Sequence, residues 1–153
     1  MDDDRFALHA EVFGYIFVLA QQLTKRTDPV LAPLDLTTRQ FLLLGVLVRA
    51  FPGQQPTLSA AARIYGSSRQ NVKQIALQLQ ERGYLQLLAD PADQRMIRLA
   101  LTDKLAAFDA PPAVARQRQL LAEIFAAFTP EEVAALRDLT RRWVRQLSAE
   151  EPS

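Results

Sequence analysis

The 153-residue chain contains no cysteine. That excludes disulfides, thiolate metal sites and cysteine-based redox sensing, and it suits a reducing compartment such as the cytoplasm. Histidine occurs once, at His9, with no companion at metal-ligand or triad spacing, so it reads as a structural or surface residue. A glycine-rich phosphate loop and a paired catalytic constellation are both missing, which points away from an enzyme and from a bound cofactor. Long apolar runs are missing too. Phe13 to Ala20 and Phe41 to Val48 each cover about half a membrane span, and the start Met1-Asp2-Asp3-Asp4 has the wrong sign for a secretory leader. The expectation is a protein that makes no use of a membrane. Internal repeats and low-complexity tracts are absent as well.

What is present is an ordinary globular composition, 49% hydrophobic and 23% charged, well away from that of disordered chains. The length suits one domain, 1–153, with a real core. A net charge of +1 conceals an uneven distribution. Between Thr57 and Thr102 lie Arg63, Arg69, Lys73, Arg82, Arg95 and Arg98 against Glu81, Asp90 and Asp93, an excess of +3 that leaves about −2 for the rest.

Asp2 to about Arg26 reads as a helix with acids at its electropositive end. Its apolar residues (Phe6, Val12, Phe13, Ile16, Phe17, Leu19, Leu23) cover more than one stripe, so it needs burial on two sides. Asp28-Pro29 and Pro33 break that pattern. Thr37 then caps a core helix running to about Phe51, with Gln40 completing a capping box and Leu36 able to staple onto Phe41. After the loop Pro52 to Pro56, Thr57-Leu58 can pair briefly as a strand before Ser59 caps a short helix through Ile64, ended by Gly66.

Ser68 caps the next helix, whose apolar residues Val72, Ile75, Ala76 and Leu79 follow helical spacing and which Gly83 closes. The opposite face carries Arg69, Gln70, Lys73 and Gln74, bordered by Asn71 and Gln78. A bland solvent face would carry Glu and Lys pairs. Gln and Asn can bond adenine bidentately, and Arg or Lys can bond guanine, so this face suits base reading. Tyr84 to Ala89 and Met96 to Leu101 read as strands joined by the tip Asp90-Pro91-Ala92-Asp93-Gln94-Arg95. A calcium loop competes for the aspartates, but their spacing and the missing terminal Glu argue against it. Beyond Thr102, Pro111-Pro112 forces a bend or restart. Ala113 to Phe128 resumes helical spacing, and Thr129-Pro130-Glu131-Glu132 starts a last helix with Val133, Leu136, Thr140, Trp143, Val144 and Leu147 on one side.

The fold class expected is mainly α with a small β-hairpin wing, a winged helix-turn-helix, and its expected partner is double-stranded DNA. The pieces resemble the MarR family of bacterial transcription regulators over nearly the whole chain. The resemblance rests on Leu36-Thr37-Thr38-Arg39-Gln40-Phe41, Thr57-Leu58-Ser59 through Gly66, Ser68-Arg69-Gln70-Asn71-Val72, Glu81-Arg82-Gly83-Tyr84-Leu85, and the wing Asp90 to Arg95 followed by Leu101-Thr102. It implies a winged-helix DNA-binding lobe over 36–102 and terminal dimerisation helices over 2–27 and 113–148. The apolar excess of the terminal helices independently calls for a partner. The function implied is a sequence-specific regulator, of repressor type, bound as a homodimer to a pseudo-palindromic operator. It would work in the cytoplasm at the bacterial nucleoid, under control of a small aromatic or phenolic effector.

Carried over by position, the DNA contacts are Ser68, Arg69, Gln70, Asn71, Lys73 and Gln74, with Arg95 entering the minor groove and Asp93 holding it. Tyr15 and Trp143 read as packing in the dimer lobe, or as lining an effector pocket. The sequence departs from the family at Ala61, where leucine is usual, at Tyr65 and Ser67, where aliphatic residues are usual, and at Leu105, where glycine is usual. Gln74 and Gln78 stand where basic residues are common. A different class stays open: winged helices also serve as protein-interaction modules without specific DNA binding, although such a module tolerates an uncharged tip and this one carries Arg95.

Overall fold

A computed structural model describes residues 2–149. The chain divides into two compact units, one up to Thr38 and one from Arg39 onward.

In the first unit, helix α1 (Asp3–Leu31) starts at Asp2, whose carboxylate accepts the Arg5 N–H at 2.8 Å, and Asp3 and Asp4 fill the electropositive first turn. The helix does not stop near Arg26, as its sequence suggests, but continues through Pro29. Proline there forfeits one backbone bond, toward the Lys25 carbonyl. Asp28 offsets that loss. Its backbone carbonyl accepts the Ala32 N–H, and its carboxylate accepts both the N–H (2.7 Å) and the hydroxyl (2.6 Å) of Thr38. A 3-10 turn, Ala32–Leu34, and a left-handed Asp35 (φ 55°) reverse the chain between them.

The apolar residues of α1 from Phe6 to Leu19 face solvent in the single chain, and Phe13 and Phe17, in edge contact at 4.9 Å, are 59% and 60% exposed. By length and composition the segment Asp3–Leu34 could cross a membrane, contrary to the expectation from its short apolar runs. Its uncharged stretch is Val12 to Thr24, about 20 Å at 1.5 Å per residue, against a hydrocarbon core of about 30 Å.

In the second unit, α2 (Thr38–Ala50) opens directly after the expected cap Thr37, and it buries Leu43, Leu44 and Leu47. These share a core with Leu58, Ala61 and Ala62 of α3 (Leu58–Tyr65) and with Val72, Ile75, Ala76 and Leu79 of α4 (Arg69–Glu81). Ala61 is wholly buried. Strands β1 (Leu85–Ala89) and β2 (Ile97–Leu101) pair antiparallel, Leu85 opposite Leu101 and Leu87 opposite Leu99, so that Leu85 and Leu99 close the core.

Thr57 forms a single bridge to Arg98, and the Leu99 N–H donates to the Pro56 carbonyl at 3.0 Å. This pairing corrects the start of α3. Thr57, not Ser59, is its cap: the hydroxyl accepts the Ala60 N–H at 3.1 Å. The bridge to β2 holds Thr57 extended, the backbone geometry that a cap requires.

A 3-10 segment, Asp103–Asp109, follows β2 and is clasped to the corner between α4 and β1. The Thr102 hydroxyl donates to the Gly83 carbonyl and Lys104 Nζ to the Arg82 carbonyl, both at 2.5 Å. Phe108 lies between the rings of Phe41 and the buried Tyr84, with centroids 5.7 and 6.0 Å away. Helix α5 (Pro111–Ile124) begins on its prolines, where a missing N–H costs nothing. It ends at Ile124 rather than Phe128, because Phe125 leaves helical geometry (φ −99°, ψ 9°) and the chain turns there, the Phe128 N–H bonding back to the Phe125 carbonyl. Helix α6 (Pro130–Ala149) carries a complete capping box: Thr129 N–H donates to Glu132 Oε2 (2.8 Å), and Glu132 N–H to Thr129 Oγ1 (3.3 Å). Leu139, Val144 and Leu147 on α6 lie more than half exposed.

Candidate nucleic-acid interface

The α3–α4 pair is a helix-turn-helix whose geometry is set by two glycines. Gly66 (φ 76°) takes the left-handed position after α3, and Gly83 (φ 78°) does so after α4. At the second corner the Tyr84 N–H reaches the Leu79 carbonyl and the Gly83 N–H the Gln80 carbonyl, the paired bonds of a Schellman ending. Ser68 caps α4 by accepting the Asn71 N–H at 3.1 Å.

With Val72, Ile75, Ala76 and Leu79 buried, helical spacing turns the remaining residues outward. Ser68, Arg69, Gln70 and Gln74 are exposed, and Lys73 is half-buried along its stem. They form one surface. Gln78, on its border, is tied down: its Oε1 accepts Gln40 Nε2 at 2.9 Å, and Gln40 is buried. Gln80 is also committed, accepting the Leu87 N–H at 2.7 Å and joining α4 to the wing.

Asn71 is placed differently from its neighbours. Its Oδ1 accepts Arg39 Nη2 at 3.0 Å, and its Nδ2 donates to Ser67 Oγ at 2.7 Å. Tyr65 joins the same group, its hydroxyl donating to the Arg39 carbonyl at 3.1 Å. The polar residues at 65 and 67 thus replace aliphatic packing with a hydrogen-bonded link between α2 and the start of α4.

The wing tip is organised by Asp90, which is buried. Its carboxylate accepts the N–H groups of Ala92 (2.8 Å) and Asp93 (3.1 Å) and pairs with the Arg98 guanidinium. The Arg98 partner, together with those turn N–H groups, holds the Asp90 carboxyl below the usual aspartate range. Arg98 also donates to the Gln55 carbonyl at 2.8 Å, fastening the wing to the loop before α3.

Asp93 accepts the backbone N–H of Arg95 at 3.0 Å. It therefore fixes the turn that carries Arg95, while the Arg95 side chain is exposed. Sequence reasoning missed the roles of Arg98 and Arg39. Arg98 looks like a solvent residue in an alternating strand, and Arg39 like part of a cap motif; neither pattern shows a partner distant in sequence. His9 and Tyr15 are exposed, as is Trp143 at 38%.

Residues 34–96 match the MarR family model. No curated protein matches the chain. Among solved structures, the chain is similar to the MarR protein from Peptoclostridium difficile DA00132, with a TM-score of 0.75, 18% identity, and coverage of 91% of this chain and 88% of that one. It is similar to the organohalide-sensing RdhR-CbdbA1625 transcriptional regulator in its 2,4-dichlorophenol-bound form (TM-score 0.75, 20% identity, 92% and 82% covered). It is also similar to Bordetella bronchiseptica BpsR, whose DNA binding is regulated by 6-hydroxynicotinic acid (TM-score 0.71, 22% identity, 87% and 98% covered). The matched segment contains α2, α3, α4, β1 and the wing tip. Residues 34–96 thus carry the MarR-family match, and the chain as a whole has the winged helix-turn-helix fold of the MarR structures.

Proposed function

We propose that the protein is a sequence-specific DNA-binding repressor that acts as a homodimer in the cytoplasm, on the nucleoid. The observation that carries this reading is the exposed surface of α4, where Arg69, Gln70, Lys73 and Gln74 stand side by side on a helix anchored through its other face. Two cations with glutamines supply both the charge to approach phosphates and the donors and acceptors to read major-groove edges. Ser68, which caps α4, is suited by that position to a DNA backbone contact. Arg95, whose side chain has no partner among the described residues and whose turn is fixed by Asp93, is suited to the minor groove.

The dimer is supported by the apolar residues of α1 and α6 that the single chain leaves in solvent. Their exposure is more than a stable monomer carries without a partner. A two-fold dimer would read an inverted repeat with half-sites one helical turn, about 10 bp, apart. The proposed effector is a small phenol or aromatic acid, by analogy with the ligands named for two similar structures.

Selection of bound duplexes from a random pool tests the reading. An enriched inverted repeat with half-sites about 10 bp apart supports it; a pool that stays random refutes specific binding and favours a protein-interaction module. Lys73→Ala and Gln74→Ala should each relax base preference at one position of each half-site.

A further inference from the structure

We infer that Asn71 does not read a base but is a positioning residue, holding Arg39 at the edge of the α4 surface as a contact for a DNA backbone phosphate. The inference rests on the DNA-binding reading above and assigns two residues within it.

A bidentate contact to adenine uses both ends of an amide. Both ends of Asn71 are already engaged, its oxygen by Arg39 and its nitrogen by Ser67. Arg39 is exposed in the first turn of α2, and Tyr65 braces its backbone carbonyl. A guanidinium has five donor hydrogens in a planar fork, of which the Asn71 bond takes one.

The nature of the partner matters most. Arg98, the arginine that fastens the wing, is paired with a carboxylate, that of the buried Asp90. A carboxylate partner cancels the charge that a phosphate would seek. Asn71 is neutral, so it restricts the Arg39 rotamer while leaving the full positive charge available. Restriction before binding lowers the entropy lost on binding. The two polar departures from the family pattern, Tyr65 and Ser67, both feed this one network.

The test uses the full chain and the duplex enriched by wild type, with affinity measured by fluorescence anisotropy between 50 and 200 mM salt. R39A and R39Q should each remove one phosphate contact per protomer, two per dimer, and so make the log–log salt slope shallower by about 1.8, so that about twelvefold less affinity is lost over that fourfold rise in salt. R39Q keeps a donor for Asn71, and its melting temperature should match wild type. N71A should weaken binding in the same direction, the R39A/N71A double variant should bind no more weakly than R39A, and N71A should enrich the same bases as wild type. An unchanged slope in R39Q overturns the phosphate contact. A changed base preference in N71A, or additive losses in the double variant, overturns the positioning role. If wild type itself enriches no duplex, the DNA-binding reading fails and this inference falls with it.

Discussion

Arg95 and Arg98 lie three residues apart in the wing, yet their surroundings are opposite: the Arg95 side chain is exposed and Arg98 is paired with the buried Asp90. Replacing each by alanine should separate two effects that usually travel together. The Arg95 side chain is exposed, and Asp93 bonds its backbone rather than its guanidinium. Arg95→Ala should therefore leave folding stability within about 0.5 kcal/mol of wild type, as expected for a surface change away from any network. If the guanidinium enters a groove, the same change should cost about 1–3 kcal/mol of operator binding, or about 5- to 150-fold in Kd.

Arg98→Ala removes the cation from the buried Asp90 carboxylate and the donor from the Gln55 carbonyl. A buried charge left without its partner is strongly unfavourable, so this variant should melt earlier and bind more weakly because its wing has loosened. Thermal melts read the first quantity and anisotropy titrations on the enriched duplex the second. The reasoning is refuted if Arg95→Ala lowers the melting temperature as much as Arg98→Ala, or if Arg95→Ala binds DNA as tightly as wild type.

Thr57→Ala should destabilise the chain by about 1 kcal/mol in urea titrations through loss of the α3 cap, whereas Ser59→Ala should change it by less than about 0.5 kcal/mol; equal effects would return the cap to Ser59. Because the folded-state pKa of Asp90 is depressed, its contribution is fully present above the ordinary aspartate value and is lost as pH falls through the lower folded value. The gap in melting temperature between wild type and Asp90→Asn should accordingly narrow in that acid range, and a pH-independent gap would contradict the assignment. Light scattering should give about 34 kDa for the dimer, twice the 17.2 kDa chain. Phe17→Asp should shift that value toward the monomer; a monomeric wild type would exclude the homodimer.

The helix-turn-helix was legible because its determinants are local. Val72, Ile75, Ala76 and Leu79 at helical spacing, Ser68 at the cap, and Gly66 and Gly83 at left-handed positions act within a few residues of one another, and each appears in its expected role. The paired strands and the restart at Pro111 were legible for the same reason. Two departures arose where a partner came from elsewhere in the chain. Pro29 stays helical with Asp28 bonded to Thr38, and Thr57 becomes a cap with Arg98 bridging it.

The sequence by itself determined the order of elements, the buried face of α4 and therefore the polar surface it turns outward, since periodicity and capping are properties of neighbouring residues. Tertiary structure decided which polar residues on that surface are free. Asn71, Gln78 and Arg98 look as available in the sequence as Gln70, Gln74 and Arg95, but Arg39, Gln40 and Asp90 engage them. Hydrogen bonds and ion pairs depend on side-chain distance in space, and that distance exists only once the helices and the wing have packed.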